Sequence, residues 1–161
     1  SPDLAVPLHK NWPLFVLAGL VPDGEYATGL SEWLKASLND NAAANKEEGN
    51  RLQVLREKAG QTLLVLSAAG YAVPEEAWHR VMETVPPTKQ LTPSPVLLDI
   101  MKQAAAAGRT GETALLSLLL VDGSASEAIL GVKVEVIRAL RLVGLTAEAQ
   151  GLAREVVVGL N

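Results

Sequence analysis

The chain has 161 residues, 48% of them apolar and 20% charged, with a net charge of −4. That length fits one domain, or two very small ones, and a core covering roughly two-thirds of the surface the unfolded chain would expose. Such a composition excludes a disordered segment, a collagen-like chain and a disulfide scaffold; Ala (23) and Leu (27) supply fifty residues while aromatics are 4%, a bias toward helix.

Residues 1–12 read as an N-terminal linker. The first helix is expected over Pro13 to Leu20, with Pro13 where a missing N–H costs nothing. A second follows over Pro22 to Leu38, with Tyr26, Leu30, Trp33, Leu34 and Leu38 on one face. The polar run Asn39 to Asn45 breaks the chain. The third helix runs from about Glu47 to Ala69, with Leu52, Leu55, Leu63 and Leu66 as its stripe, and stops at Gly70. The fourth opens at Pro74 with Glu75 and Glu76 in its first turn, where carboxylates suit the helix dipole, and turns Trp78, Val81, Met82 and Val85 inward.

A proline-rich connector follows, PPTKQLTPSP. Ser94-Pro95 starts the fifth helix and Gly108 ends it; Thr110 caps the sixth, which stops at Asp122-Gly123. Ser124 with Glu127 forms a capping box for the seventh, whose apolar positions include Ile129, Leu130, Val134, Ile137 and Leu140. Gly144 closes it, and Thr146 caps an eighth that fades at Gly159. No segment alternates as a strand does. The expected fold is all-α: about eight helices forming a single domain over 13–161, with two halves, 13–85 and 94–161, joined by the connector 86–93.

Four times a helix ends at a glycine turn and the next begins within a few residues. These are FVLAGLVPDGEY, VLSAAGYAVPEEAW, KQAAAAGRTGETALL and ALRLVGLTAEAQGL, with Gly19, Gly70, Gly108 and Gly144 spaced 51, 38 and 36 residues apart. Trp78, Leu116 and Leu152 stand eight residues after the last three. Recurring helix pairs at that period mark an α-solenoid, and the chain resembles the helical-repeat superfamily of tetratricopeptide and HEAT-like arrays. The likeness rests on turn spacing and covers most of the chain. The segment ALRLVGLTAEAQGLAREVV is similar to the hairpins of that superfamily; the irregular period and the glycines at helix ends depart from the tetratricopeptide pattern. A superhelical repeat-like stack and an irregular bundle of four hairpins both fit the spacing. The resemblance implies recognition by a groove, without chemistry.

Chemistry-bearing motifs are sparse. With no cysteine, thiol nucleophiles, disulfides and Cys-type zinc sites are excluded, and cytoplasm and periplasm both stay open. Of the two histidines, His9 sits in a proline-flanked stretch, while His79 has Glu75, Glu76 and Glu83 at helical spacing; that pattern reads first as a solvated helix side and only second as a metal ligand set. No G-x-S-x-G elbow occurs, and Gly108-Arg109-Thr110-Gly111 lacks the phosphate-loop lysine. No catalytic residue, metal or cofactor is assigned.

A pI near 5.2 without a basic stripe argues against nucleic acid. The uncharged stretch Ala59 to Pro74 is too interrupted to span a membrane, and the run Thr113 to Val121, nine residues long, reads as a buried helix. Aromatic residues, favoured as interface anchors, lie only in the N-terminal half. Trp12, Tyr71, Trp78 and His79 are the candidate binding residues, with Trp12 and Tyr71 expected to be the more exposed. The expected function is a non-enzymatic protein-interaction or scaffold module with a protein partner, or with itself as a homo-oligomer. The opening Ser1-Pro2 suggests a piece of a larger protein, and the Ala/Leu/Val/Gly-rich composition a bacterial one. The alternatives are a bundle binding an apolar small molecule, or an all-helical hydrolase or metal enzyme using His79.

Overall fold

Backbone hydrogen bonds close within helices almost everywhere in the computed structural model, which describes residues 10–38, 46–82, 95–122 and 130–160. Among these residues there are eight helices and no strand. They are α1 (Trp12–Leu17), α2 (Asp23–Leu38), α3 (Lys46–Ala69), α4 (Glu75–Met82), α5 (Pro95–Ala106), α6 (Thr110–Asp122), α7 (Leu130–Leu142) and α8 (Thr146–Leu160). The all-α expectation therefore holds. No described helix is long and apolar enough to cross a membrane.

The four glycines that set the spacing are the four with positive φ among the described residues: +71° at Gly19, +102° at Gly70, +68° at Gly108 and +85° at Gly144. Each closes its helix in the same way. The Gly144 N–H donates to the Arg141 carbonyl at 3.1 Å and the Leu145 N–H to Leu140 at 2.9 Å; the pattern repeats for Gly19 with Leu20, Gly70 with Tyr71, and Gly108 with Arg109. This is the Schellman cap, which satisfies orphan carbonyls only if one residue turns left-handed, a conformation that costs an L-residue about 1–2 kcal/mol. Four such caps reverse the chain into the pairs α1–α2, α3–α4, α5–α6 and α7–α8, and the helices of each pair pack together. The joints between pairs fall in 39–45, 83–94 and 123–129, outside the described residues. With them go the Asn39–Asn45 break, Val85, connector 86–93 and the Ser124/Glu127 box; His9 and linker residues 1–9 are outside as well.

Above the hairpins, α3 is the hub. It packs against α1, α2 and α4, and also against α7 and α8 from the other half. Leu63, Val65, Leu66 and Ala68 are fully buried, so consecutive turns of α3 are apolar on several sides and need neighbours on each. Val132, Val134, Val136, Ile137 and Leu140 of α7 meet them in one core that both halves share. Each of these side chains contributes about 1.5–3 kcal/mol on leaving water. The expected stripe of α2 is buried too, at Leu30, Trp33, Leu34 and Leu38. A solenoid repeat touches only its neighbours; here α1 also packs on α8, so the first and last hairpins meet.

The α5–α6 hairpin lies outside this closed set and leans on α7. Lys102 of α5 reaches Glu135 of α7 at 3.0 Å, and Arg138 pairs with the same carboxylate. Partial burial pushes the Glu135 carboxyl up, but the two cations outweigh it and hold it below the usual range.

Removing the left-handed glycine should separate from merely adding a methyl group. Nothing lies within 4 Å of a Cβ placed at Gly108, Gly111 or Gly144. Gly108→Ala and Gly144→Ala should each lose about 1 kcal/mol in urea denaturation from backbone strain alone. Gly111→Ala, on ordinary helical backbone in α6, should gain about 0.5 kcal/mol. Equal shifts for all three would refute the cap assignment.

Candidate functional site

Four of the six aromatic residues form one ladder, three on the first hairpin and Tyr71 on the α3–α4 turn. Trp12 of α1 stacks on Trp33 of α2 (6.3 Å between ring centroids, 26° between planes) and lies tilted against Tyr26 (5.5 Å, 38°); Tyr26 stacks on Tyr71 (5.9 Å, 23°). A glycine makes this approach available. A Cβ at Gly29 would lie 2.7 Å from Cε2 of Trp12 and closer still to its Nε1, so the indole rests directly on the α2 backbone. Tyr71, just past the Gly70 cap, donates from its hydroxyl to the Val16 carbonyl at 2.8 Å, tying the α3–α4 turn to the end of α1. Trp12 and Tyr71, expected to be the more exposed rings, are thus half-buried wedges between elements.

The hydroxyl of Tyr26 is buried with no hydrogen-bond partner among the described residues. Burial first, and then the neighbouring Tyr71, push its phenol up to about 12; burial and then Asp23 push Tyr71 upward also. Both tyrosines therefore favour the folded state in their neutral form.

Trp78 and His79 separate on α4. Trp78 is half-buried against the core, like Leu116 and Leu152 at the matching position of later hairpins. His79 is exposed and pairs with the equally exposed Glu75 at 3.4 Å, one turn back. Glu83 lies outside the described residues. No three His, Cys, Asp or Glu side chains gather into a metal-binding group among the described residues. The four candidate residues do not converge: Trp12 and Tyr71 join through Tyr26, whereas His79 faces water.

The surface that stands out is one the sequence reading passed over. The run Thr113 to Val121, read as a buried helix, is buried on one side of α6 only. Thr113, Ser117 and Leu120 face inward, while Leu115, Leu118 and Leu119 are 60%, 68% and 54% exposed. The inward polar groups are satisfied: Thr113 Oγ1 donates to the Arg109 carbonyl at 2.9 Å, and Ser117 Oγ to the Met101 sulfur at 3.6 Å. Thr113 and Ser117 thus share the inner side with Leu120, and three of the leucines go to the other. Val96 and Ile100 of α5, 67% and 40% exposed, belong to the same hairpin. Five of the nine large exposed apolar side chains thus lie on one helix pair. Around it Arg109 pairs with Glu112 at 2.9 Å and Lys102 with Glu135, while Asp99 of α5 accepts from the Gln103 amide at 2.7 Å. The signal was present in TALLSLLLV, an apolar run with no polar face on a short helix between two turns.

Compared with known proteins, the chain matches no family model, no curated protein and no solved structure. Its own surface therefore carries the functional reading.

The two tyrosines should respond oppositely to loss of the hydroxyl. Tyr71→Phe loses its bond to Val16 and should cost about 1 kcal/mol. Tyr26→Phe removes an unpaired buried hydroxyl and should be neutral or stabilising in the same denaturation series. Because both folded pKa values lie above the free value near 10, this stabilisation is complete below about pH 10 and is lost as pH climbs through the folded values. Alkaline unfolding followed by tyrosinate absorbance should accordingly begin above about pH 10, later in Tyr26→Phe than in the parent chain.

Proposed function

We propose that the chain is a non-enzymatic protein-interaction module that docks a protein partner through the leucine face of α5–α6. The observation that carries this reading is the inverted polarity of α6. A helix at the edge of a bundle normally turns leucines inward and hydroxyls outward. Here Thr113 and Ser117 share the inner side with Leu120, while Leu115, Leu118 and Leu119 take the outer. Exposed apolar area of this kind, rimmed by polar groups, marks interaction sites once it exceeds a few hundred Å². Both cations of this hairpin, Lys102 and Arg109, are already paired, which supports a partner surface that is largely apolar.

Leu118→Glu and Leu115→Glu place a charge on this face without touching the core. Circular dichroism should be unchanged in both. In affinity capture from the native lysate, quantified by mass spectrometry, a stoichiometric partner of the parent chain should be lost by at least about tenfold. A partner held equally by parent and variants would remove the face from the reading. Capture of no partner by the parent chain, and no self-association on sedimentation, would remove the reading itself.

A further inference from the structure

A second surface, on the outer side of the first hairpin, differs from the leucine face in chemistry. There an open groove of about 480 Å³ runs between α1 and the start of α2. Trp12 and Phe15 of α1 form one wall, Leu20 and Pro22 of the turn form its end, and Glu25 and Glu32 of α2 line the other wall. Glu25, Gly29 and Glu32 stand at i, i+4 and i+7, which places them on one face of α2. The Trp12 ring rests on Gly29, so the indole is framed by one carboxylate a turn before it and one a turn after. Neither carboxylate makes an ion pair among the described residues, and no Lys or Arg lines the groove.

An exposed carboxylate beside an aromatic ring is a cation's environment: the ring face attracts positive charge and the carboxylate completes the pair. The apolar turn residues suit aliphatic side chains. The groove is too open to enclose a small ligand, which a dedicated pocket buries almost completely. We propose that this groove docks a basic amphipathic helix of a protein partner. Its apolar face covers Trp12, Phe15 and Leu20, and two Lys or Arg side chains, about 10 Å apart along the helix, reach Glu25 and Glu32. Gly29 is what sets the site, because any side chain there would lift Trp12 off α2 and close the groove.

The test uses a synthetic amphipathic Leu/Lys helix and its Leu/Glu counterpart, titrated into the full chain by calorimetry, with the Trp12 indole N–H followed by NMR. The Leu/Lys helix should bind and shift that resonance, while the Leu/Glu helix should not bind. Glu25→Gln with Glu32→Gln should weaken binding about tenfold, and Leu20→Ser, at an exposed position, at least threefold. The control pair Glu75→Gln with Glu76→Gln, which removes as much charge from α4, should change affinity less than about twofold. Leu118→Glu should leave it no weaker, which separates this groove from the leucine face. Equal weakening by the two glutamate pairs would reduce the effect to net charge and overturn the proposal. So would binding of the Leu/Glu helix, or a Leu/Lys complex that leaves the Trp12 signal in place.

Discussion

Burial of most of the C-terminal half of α3 is the constraint from which the rest of the architecture follows. Leu63, Val65, Leu66 and Ala68 are fully buried, and only the side carrying Gln61, Leu64 and Ser67 is partly open to water. A helix of 24 residues is about 36 Å long, enough for several partners side by side. The chain supplies α1, α2, α4, α7 and α8 around it. Meeting α7 and α8 requires the second half to fold back on the first, and α8 in turn meets α1. The valines of α7 complete the contact; stiff at χ1, they lose little freedom when packed.

Once α3 and α7 are enclosed, the α5–α6 hairpin is left with α7 as its support, held there by burial and by the Lys102–Glu135 pair. An exposed ion pair of this kind contributes little by itself, on the order of 0–1 kcal/mol. Its effect is to orient: with Ser117 against Met101 of α5 and Leu120 buried, α6 is rotated so that Leu115, Leu118 and Leu119 face out. The proposed docking face is thus a by-product of how the hairpin packs: Thr113, Ser117 and Leu120 fill the inner side of α6, and Leu115, Leu118 and Leu119 are left on the outer.

The first hairpin solves a different problem. α1 is only 6 residues long and buries just Pro13, Val16 and Leu17. Large rings fill the space where it meets α2 and the α3–α4 turn, with Tyr71 bonded back to Val16 as a tie across 55 residues of sequence. That explains why aromatic residues are confined to the N-terminal half, while Ala149 and Ala153 of α8 allow close approach without them. The same rings leave an edge beside Glu25 and Glu32, so one hairpin combines a structural wedge with the proposed acidic-aromatic groove. The two proposed surfaces select partners by different physics, one by apolar area and one by charge.

Features set by neighbours along the chain were legible in the residues. Gly19, Gly70, Gly108 and Gly144 end helices because a Schellman cap is a local hydrogen-bond pattern requiring one left-handed residue, and it can be read from a glycine after an apolar run. The buried stripe of α2 was legible for the same reason, since its period belongs to the helix itself. Contacts between distant segments decided the remainder. Nothing local says that α1 meets α8, or that Trp12 finds a backbone without a Cβ at Gly29. Nor could TALLSLLLV reveal which side of α6 faces inward, because an apolar run with no polar stripe carries no phase. That phase is set by the packed hairpin, in which Ser117 meets Met101 of α5 and Thr113, Ser117 and Leu120 turn inward together.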